Sequence, residues 1–503
     1  MSFNPEGVTR RSFLGMVGAV AGAAAMYSAM STMGFASQSN WRGRLNLQGA
    51  PDNTNILILG AGLAGMTAAF ELRNAGYNVK LLEYRDKAGG RCWTLRGGDS
   101  YTELGGFTQH IDFAEGNYLN PGPWRIPSDH FAVLDYCKRF GVKLEPFIQV
   151  NYNAYLHDSE AFDGQPQRFK EVATDFRGHV AELLAKVVDQ QGLDEAVSVE
   201  DAEKLVAALK RYGALNDGKP EPSQVNSLSE ILNSTLWRNL TTGDNLHMQS
   251  TIFQPVGGMD MIAKGFEEQV GELITYNAKV TRIHHEGDQV TASWISADSG
   301  SNEQTETADY CICTIPFSVL SQIDHDFSPR MSKIIDSMPY ASAFKAGIEF
   351  KRRFWEEDEH IYGGISYTNL PITLISYPPY NMFSDGPGVL LAAYPWGAYA
   401  YQFNALSPEE RIDKVMEYGS QIHPQYYDEF KTGASVAWHR VPWTLGCYGL
   451  WQDREADYQD ATAMDGRTLM AGEHISYLPA WMEGAVLSAL DAVERLHTTI
   501  TEI

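Results

Sequence analysis

Two short apolar runs flank a stretch of helix formers near the start of the chain. The first run, residues 56–59, is continuous, as in a strand that is buried on both faces. Residues 66–73 favour a helix that stops at Gly76, and the second apolar run, residues 79–82, ends on Glu83. This order predicts a βαβ unit with an acidic residue at the end of its second strand.

Helical patterns dominate the next part of the chain. Residues 107–127 are rich in Gly, Pro and Asn, and they predict a long functional loop. Residues 128–144 have helical spacing, with Ser128 and Asp129 as candidate caps. Residues 165–247 are charged and periodic, which predicts a helical insertion.

Extended patterns follow. Residues 274–286 and 290–297 alternate like a hairpin, and residues 309–317 resemble a buried strand that returns to the first sheet. Short strands in residues 342–404 predict a mixed or antiparallel sheet that could wall a substrate cavity. Residues 468–496 predict a strand, a loop and a long helix that complete the first sheet.

The turn after the first strand carries glycines in G-x-G-x-x-G spacing: Gly60, Gly62 and Gly65. In a dinucleotide-binding unit the first permits a tight turn, the second lets backbone approach a pyrophosphate, and the third lets helix pack on strand. The helix start at Leu63 and Ala64 offers backbone N–H groups to the phosphates. Glu83 can accept hydrogen bonds from both ribose hydroxyls, which a glycine-rich turn in another α/β protein would leave unexplained.

The charge and the N-terminus indicate where the protein works. A formal net charge of −24 argues against nucleic acid or an anionic membrane surface as a partner. Residues 9–14, TRRSFL, form a twin-arginine signature before an apolar run and an A-x-A-like cleavage site that ends at Ala36. We expect a signal that is cleaved rather than a membrane anchor, no stable span in the mature protein, and a periplasmic or secreted enzyme.

The five cysteines are scattered: Cys92, Cys137, Cys311, Cys313 and Cys447. No cysteine pair or Cys/His cluster in the sequence has metal-ligand spacing, so no metal is predicted. A disulfide framework is not expected either, and Cys311 and Cys313 are interpreted as buried core thiols.

Several separated segments together resemble the flavin amine oxidase superfamily, most closely the bacterial FAD-dependent L-amino-acid oxidases with their monoamine oxidase-like fold. They are AGGR at 88–91, TELGG at 102–106, VGGM at 256–259, AKV at 278–280, AGE at 471–473 and WMEGA at 481–485. The resemblance implies FAD. It places Gly90 and Arg91 along the diphosphate, Val280 at the adenine, Gly472 and Glu473 at the ribityl chain, and Met482 over the flavin.

The same resemblance implies a substrate site. Arg125, in GPWRIP, and Tyr394 match residues that bind the substrate carboxylate in L-amino-acid oxidases. Tyr448 and Trp481 match two aromatics that flank the amine, and Ala480 precedes Trp481 at that site. The alternatives are an ordinary loop arginine and plain core packing of the aromatics. About fifteen extra residues between Gly106 and Gly122 depart from the family pattern.

Two further residues carry expectations from the family. Lys345 matches the lysine that holds a water at flavin N5, and the alternative is a strand-end lysine that reaches solvent. Gly446-Cys447-Tyr448 resembles the monoamine oxidase segment whose cysteine binds FAD covalently, but non-covalent FAD is favoured.

The expected fold class is α/β, with a Rossmann-type FAD-binding domain, a mixed-sheet substrate domain and a helical insertion. We divide the chain into a signal peptide (1–36), FAD-binding segments (37–127, 251–340 and 441–503), a largely helical domain (128–250) and a substrate-binding domain (341–440).

The expected activity is the oxidative deamination of an L-amino acid, with hydride transfer from Cα to FAD, oxygen as the second substrate and hydrogen peroxide as a product. The alternatives are a monoamine or polyamine oxidase, an amino-acid monooxygenase, and a redox-inert FAD-binding scaffold. We expect a homodimer. No base can be assigned among His110, His130 and His247.

Overall fold

The structure, a computed structural model, describes residues 38–189, 199–213, 226–300 and 303–502. The predicted signal peptide lies outside these residues.

A five-stranded parallel sheet forms the centre of the first domain. Its strands come from four distant parts of the chain, so the sheet is closed by long-range pairing. In spatial order they are Ile274–Thr275, Asn78–Leu82, Asn55–Leu59, Tyr310–Cys313 and Thr468–Met470. The predicted βαβ unit and the returning strands are therefore confirmed, and Cys311 and Cys313 are buried.

Three long helices pack with this sheet around one apolar core. They are Leu63–Ala75, Asp260–Val270 and Met482–Thr501. The strand Asn55–Leu59 and the helix Leu63–Ala75 are joined by a tight turn. The helix begins at Leu63, whereas the run of helix formers in the sequence begins at Met66. The last helix packs along the first, which brings the C-terminal segment to the dinucleotide turn.

A seven-stranded mixed sheet forms the centre of the second domain. Its order is Gln167–Arg168, Tyr155–His157, Gly364–Thr368, Leu374–Tyr377, Gly388–Ala393, Phe344–Phe350 and Phe430–Ala437. Every residue of Phe344–Phe350 is buried, so this strand is covered on both faces. The mixed sheet predicted for residues 342–404 is confirmed.

Four smaller sheets are present beside the two large ones in the described residues. The predicted hairpin, Ala278–Glu286 with Gln289–Ser296, is flanked by Gln304–Ala308 and Asp324–His325. A second sheet contains Ile126–Pro127, Ile252–Pro255 and Leu144–Phe147, and two strand pairs are formed by Leu95–Arg96 with Tyr118–Leu119 and by Ser100–Thr102 with Thr108–His110.

The remaining helices lie between these strands. The predicted helical region contains Phe169–Asp189, Val199–Tyr212 and Leu228–Asn233. The other α-helices are Phe131–Arg139, Phe317–Leu320, Pro329–Ser337, Phe354–Glu357, Gly397–Ala405, Pro408–Gly419, Tyr426–Glu429 and Arg454–Thr462. Within the described ranges, no helix is long and apolar enough to cross a membrane.

The helix predicted for residues 128–144 is shorter and is capped differently. It spans Phe131–Arg139, and neither Ser128 nor Asp129 is its cap. The carboxylate of Glu483, on the last helix, accepts hydrogen bonds from the N–H groups of Ala132 and Val133 at 2.9 Å each. A carboxylate from elsewhere in the chain therefore replaces the local cap.

Candidate active site

One cavity of about 1250 Å³ extends from the carboxyl ends of the parallel strands to the seven-stranded sheet. Ligands of open α/β sheets bind at this edge, where the strand order reverses. The residues predicted for cofactor and substrate that line this cavity are Gly60, Gly62, Leu63, Ala64, Glu83, Gly90, Arg91, Arg125, Val280, Tyr394, Tyr448, Gly472, Glu473, Ala480, Trp481 and Met482. Gly65 and Lys345 lie behind the cavity wall.

The three glycines of the turn have different surroundings. Gly60 has a φ of +98°, and a Cβ there would lie 2.7 Å from Thr314 Oγ1. A Cβ on Gly65 would lie 1.9 Å from the carbonyl oxygen of Gly60, so the helix could not pack this closely. A Cβ on Gly62 would meet nothing within 4 Å, so this backbone faces open space in the cavity. The cradle thus has the room that a pyrophosphate needs.

The Glu83 carboxylate is held in place at the end of the second strand. Its two oxygens accept hydrogen bonds from the N–H of Ala61 at 2.6 Å and of Arg85 at 2.9 Å. Burial raises the pKa of Glu83, and these two hydrogen bonds oppose that shift. Each oxygen keeps a second acceptor site, as a pair of ribose hydroxyls requires.

The GGR segment packs on this turn and reaches the C-terminal segment. Gly89 donates its N–H to the carbonyl of Ala61 at 2.8 Å. Arg91 Nη1 donates to Glu473 Oε1 at 2.6 Å and to the carbonyl of Cys447 at 2.9 Å. Burial lowers the pKa of Arg91, but the charge of Glu473 more than offsets this and the net shift is upward.

The last helix starts at the cavity. Met482 and Ala485 line it, and Trp481, the residue before the helix, has no side-chain cap bond. The N–H groups and the positive dipole end of this helix are therefore directed at the cavity wall, where they favour negative charge. Such an arrangement would suit a reduced flavin ring, which carries negative charge.

Aromatic rings surround Arg125 at the other end of the cavity. Its Cζ lies 4.8 Å from the centroid of the Trp124 ring and 6.0 Å from that of Trp481. Its Nη1 donates to Gln149 Oε1 at 3.0 Å, and Gln149 donates in turn to the hydroxyl of Tyr367 at 3.1 Å. Gln149 and Tyr367 also line the cavity, and no sequence signal identified them.

Tyr394 and Tyr448 both line the cavity. The Tyr394 ring centroid lies 5.4 Å from Trp124 and 4.0 Å from Trp396. Tyr448 is buried, and its carbonyl accepts the N–H of Ala341 at 2.9 Å. The structure therefore brings the predicted carboxylate-binding and amine-flanking residues into one chamber.

Lys345 is fully buried behind that chamber, so the alternative of a lysine that reaches solvent is wrong. Its Nζ donates to the carbonyl oxygens of Asn120, at 3.1 Å, and of Gly122, and lies 4.2 Å from the centroid of the Tyr394 ring. Burial lowers the pKa of Lys345 well below its usual value. Its role in holding a water at the flavin stays a prediction.

The candidate bases lie outside the cavity lining. His110 is exposed, whereas His130 and His247 are buried behind Trp481, with ring centroids 4.9 and 5.4 Å from it. Burial lowers the pKa of His130 to about 3, so this imidazole is neutral. None of these histidines is placed as a base against a substrate in the cavity.

A cavity that joins a dinucleotide cradle to a chamber of aromatic rings is what an oxidoreductase needs to bring a redox cofactor against a small substrate. The comparison with known proteins also indicates an oxidoreductase, and it identifies the family. The chain belongs to the flavin containing amine oxidoreductase family, whose model matches residues 63–497. The cofactor of this family is FAD.

Relatives and solved structures match over most of their length. The "Putative L-amino-acid oxidase YobN" of Bacillus subtilis (strain 168) is 30% identical over 89% of this chain and 95% of that protein. The L-amino-acid oxidase of Siganus canaliculatus is 28% identical over 88% of this chain and 85% of that protein. Among solved structures, a triple mutant of putrescine oxidase has a TM-score of 0.61 at 19% identity, over 89% of this chain and 99% of the other.

Gly62→Ala tests the cradle. The open space around Gly62 predicts a folded protein that holds FAD at least about tenfold more weakly, since the methyl group occupies the path of the pyrophosphate. The measurement is the flavin-to-protein absorbance ratio after gel filtration, with circular dichroism as the check on folding. Gly271→Ala, on a glycine at a helix end far from the cradle, is the matched control, and unchanged FAD retention in Gly62→Ala would contradict the assignment.

Cys447 tests the mode of FAD attachment. The surrounding protein desolvates the thiol and raises its pKa to about 12, so the nucleophilic thiolate is scarce at neutral pH. We expect acid precipitation to leave all yellow colour in the supernatant. Colour in the pellet of the wild type that disappears in Cys447→Ser would establish a covalent bond instead.

Proposed function

We propose that the protein is an L-amino-acid oxidase, which converts an L-amino acid, water and oxygen into a 2-oxo acid, ammonia and hydrogen peroxide. The observation that supports this most directly is the position of Arg125, a guanidinium set among aromatic rings in the same cavity as the cofactor cradle. A planar cation of this kind pairs with a carboxylate through two parallel hydrogen bonds. An oxidase of simple amines has no carboxylate to bind.

The anchoring of Arg125 suits this role. Gln149, a neutral acceptor, fixes Nη1 without neutralising the guanidinium charge, and Tyr367 orients Gln149 in turn. Tyr394 has a hydroxyl group and lines the same cavity as Arg125. Two donors on separate strands and loops would set both the position and the orientation of the amino acid.

Bound FAD supplies the two-electron acceptor for the hydrogen at Cα. The side chains position the substrate and exclude water. Tyr448, Trp481 and the neighbouring Ala480 would flank the amino group, which reacts as the neutral amine. Since none of the histidines that the structure describes lines the cavity, we assign no side-chain base, and orientation is the main contribution of the protein.

Arg125→Ala tests the substrate class. We expect kcat/KM for L-phenylalanine to fall by about 100-fold, roughly 3 kcal/mol, because a charge-assisted pair with the carboxylate is lost. Turnover of 2-phenylethylamine, which lacks the carboxylate, should not fall with it. Oxygen consumption and peroxide release measure both reactions.

Arg238→Ala is the matched control, because Arg238 also lines the cavity but is exposed at its mouth. We expect this variant to keep amino-acid turnover within about threefold of the wild type, as for most exposed positions. Equal losses for both substrates in Arg125→Ala, or a larger loss in Arg238→Ala, would contradict the carboxylate role. Failure of every L-amino acid to bleach the flavin anaerobically would favour a redox-inert scaffold.

We also propose export by the twin-arginine route, which carries folded proteins and therefore suits a flavoprotein loaded before export. Replacing Arg10 and Arg11 by lysine should keep active enzyme in the cytoplasmic fraction. The wild-type enzyme should appear outside the cytoplasm, as a mature chain that starts at Ser37. Cell fractionation with a peroxide assay and intact-protein mass measures this. Arg42→Lys with Arg44→Lys is the control, and export of the Arg10/Arg11 variant would refute the route. The homodimer stays a prediction.

A further inference from the structure

A cluster of three potential metal ligands lies directly behind the aromatic wall of the cavity. Asp129 and His130 are adjacent in the chain just before the helix Phe131–Arg139, and His247 belongs to the short helical turn Leu246–Met248. One ligand atom from each of the three residues lies within 4.8 Å of the others. The fold thus brings His247 to two residues that lie 117 and 118 positions earlier in the chain.

The two imidazoles are buried with nitrogen atoms that no protein group satisfies. His130 is fully buried and His247 is 1% exposed. Three of these nitrogens have no hydrogen-bond partner among the described residues. They are Nδ1 and Nε2 of His130 and Nε2 of His247. A buried polar atom left in this way costs about 1–3 kcal/mol, so this concentration of such atoms at one point requires an explanation.

The third residue provides the charge. The Asp129 oxygens lie 3.0 and 3.3 Å from Nδ1 of His247, and the Asp129 side chain is 16% exposed. Two ligand atoms of a tetrahedral site with bonds of about 2.0–2.1 Å are roughly 3.3 Å apart, so this pair already has the spacing of one edge of such a site. The partly exposed carboxylate also gives an ion a path in from solvent.

We propose that Asp129, His130 and His247 form a binding site for a divalent transition-metal ion of the zinc class. Two imidazoles and one carboxylate suit zinc, cobalt or nickel, whereas calcium and magnesium take oxygen ligands. A modest movement of the His130 side chain would bring one of its ring nitrogens to the ion that Asp129 and His247 bind. Water or another small ligand would complete the coordination, as three protein ligands leave one tetrahedral position open.

The site is connected to the start of the last helix. The rings of His130 and His247 contact Trp481, which lines the cavity on its other face. Ala132 and Val133, two and three positions after His130, donate their N–H groups to Glu483, two positions beyond Trp481. A bound ion would therefore brace Trp481 from behind, but the site itself does not depend on which substrate the enzyme oxidises.

The test uses the purified holoenzyme, freed of metal with a chelator and titrated with Zn²⁺ and with Co²⁺. We expect one ion per chain, a rise in the thermal unfolding midpoint, and visible Co²⁺ bands typical of a four-coordinate N/O site. His130→Gln should weaken Zn²⁺ binding by about 100-fold or more, since one of three protein ligands is lost. Calcium and magnesium should not compete.

Two further variants keep the test decisive. Asp129→Asn, at a partly exposed position, should weaken binding in the same way if His130→Gln fails to fold. His284→Gln with His285→Gln is the control, because these two histidines form a separate partly exposed cluster around Asp326 and should not affect the site. The proposal is overturned if the wild type binds no stoichiometric ion, if binding survives Asp129→Asn, or if only the control variant loses it.

Discussion

The carboxylate of Glu473 holds the cofactor side of the cavity together. One of its oxygens accepts from Arg91 and from the N–H of Gly449, and the other accepts from the N–H of Ala480. Arg91 also binds the carbonyl of Cys447. A single buried charge thus fixes the GGR segment, the loop that contains Cys447 and Gly449, and the loop that leads into the last helix. Removing either charge would leave the other buried without its partner, which is far more costly than losing an exposed pair.

The cofactor cradle and the chamber around Arg125 are built from different parts of the chain. The glycine turn and Glu83 hold a dinucleotide through backbone spacing and one acidic side chain, which suits any flavoprotein with this fold. The chamber around Arg125 is built on another sheet and on loops, where side chains can differ without disturbing the cradle. In the proposed function, Arg125, Gln149 and Tyr394 would distinguish an amino acid from a simple amine, and the cradle would not.

Local sequence patterns predicted the parts of the fold that local physics determines. The βαβ unit, the hairpin at residues 278–296 and the helices Phe169–Asp189 and Val199–Tyr212 follow from apolar periodicity and turn residues. The packing role of Gly65 was also predictable, because a Cβ there would meet the carbonyl of Gly60 within the same turn. The cap of the helix Phe131–Arg139 was not, since Glu483 comes from 350 positions away and displaces Ser128 and Asp129, which local pattern favoured.

The site was predictable where a motif contained the residue and unpredictable where only packing placed it. Gln149 and Tyr367 lie in no motif, and the family match of Lys345 left open whether its side chain is buried or reaches solvent. The Asp129–His130–His247 cluster failed the test of ligand spacing in sequence, because two separate segments supply it. Contacts of this kind arise from the pairing of distant strands, which a single sequence does not disclose.

The first turn of the last helix is where these contributions meet. Its N–H groups are directed at the cavity, Trp481 before it forms part of the chamber, and Glu483 within it caps another helix. Glycine at 484 is required here, because a Cβ would lie 2.0 Å from the carbonyl oxygen of Leu478. The loop is thereby folded tightly back on the helix, and Ala480 adopts a positive φ of 68° within it. Because Glu473 binds the N–H of Ala480 and Glu483 binds the helix after His130, the position of Trp481 is fixed by two carboxylates rather than by its own packing alone. The cavity wall at Trp481 is in this way linked to the cofactor cradle on one side and to the buried His130 and His247 on the other.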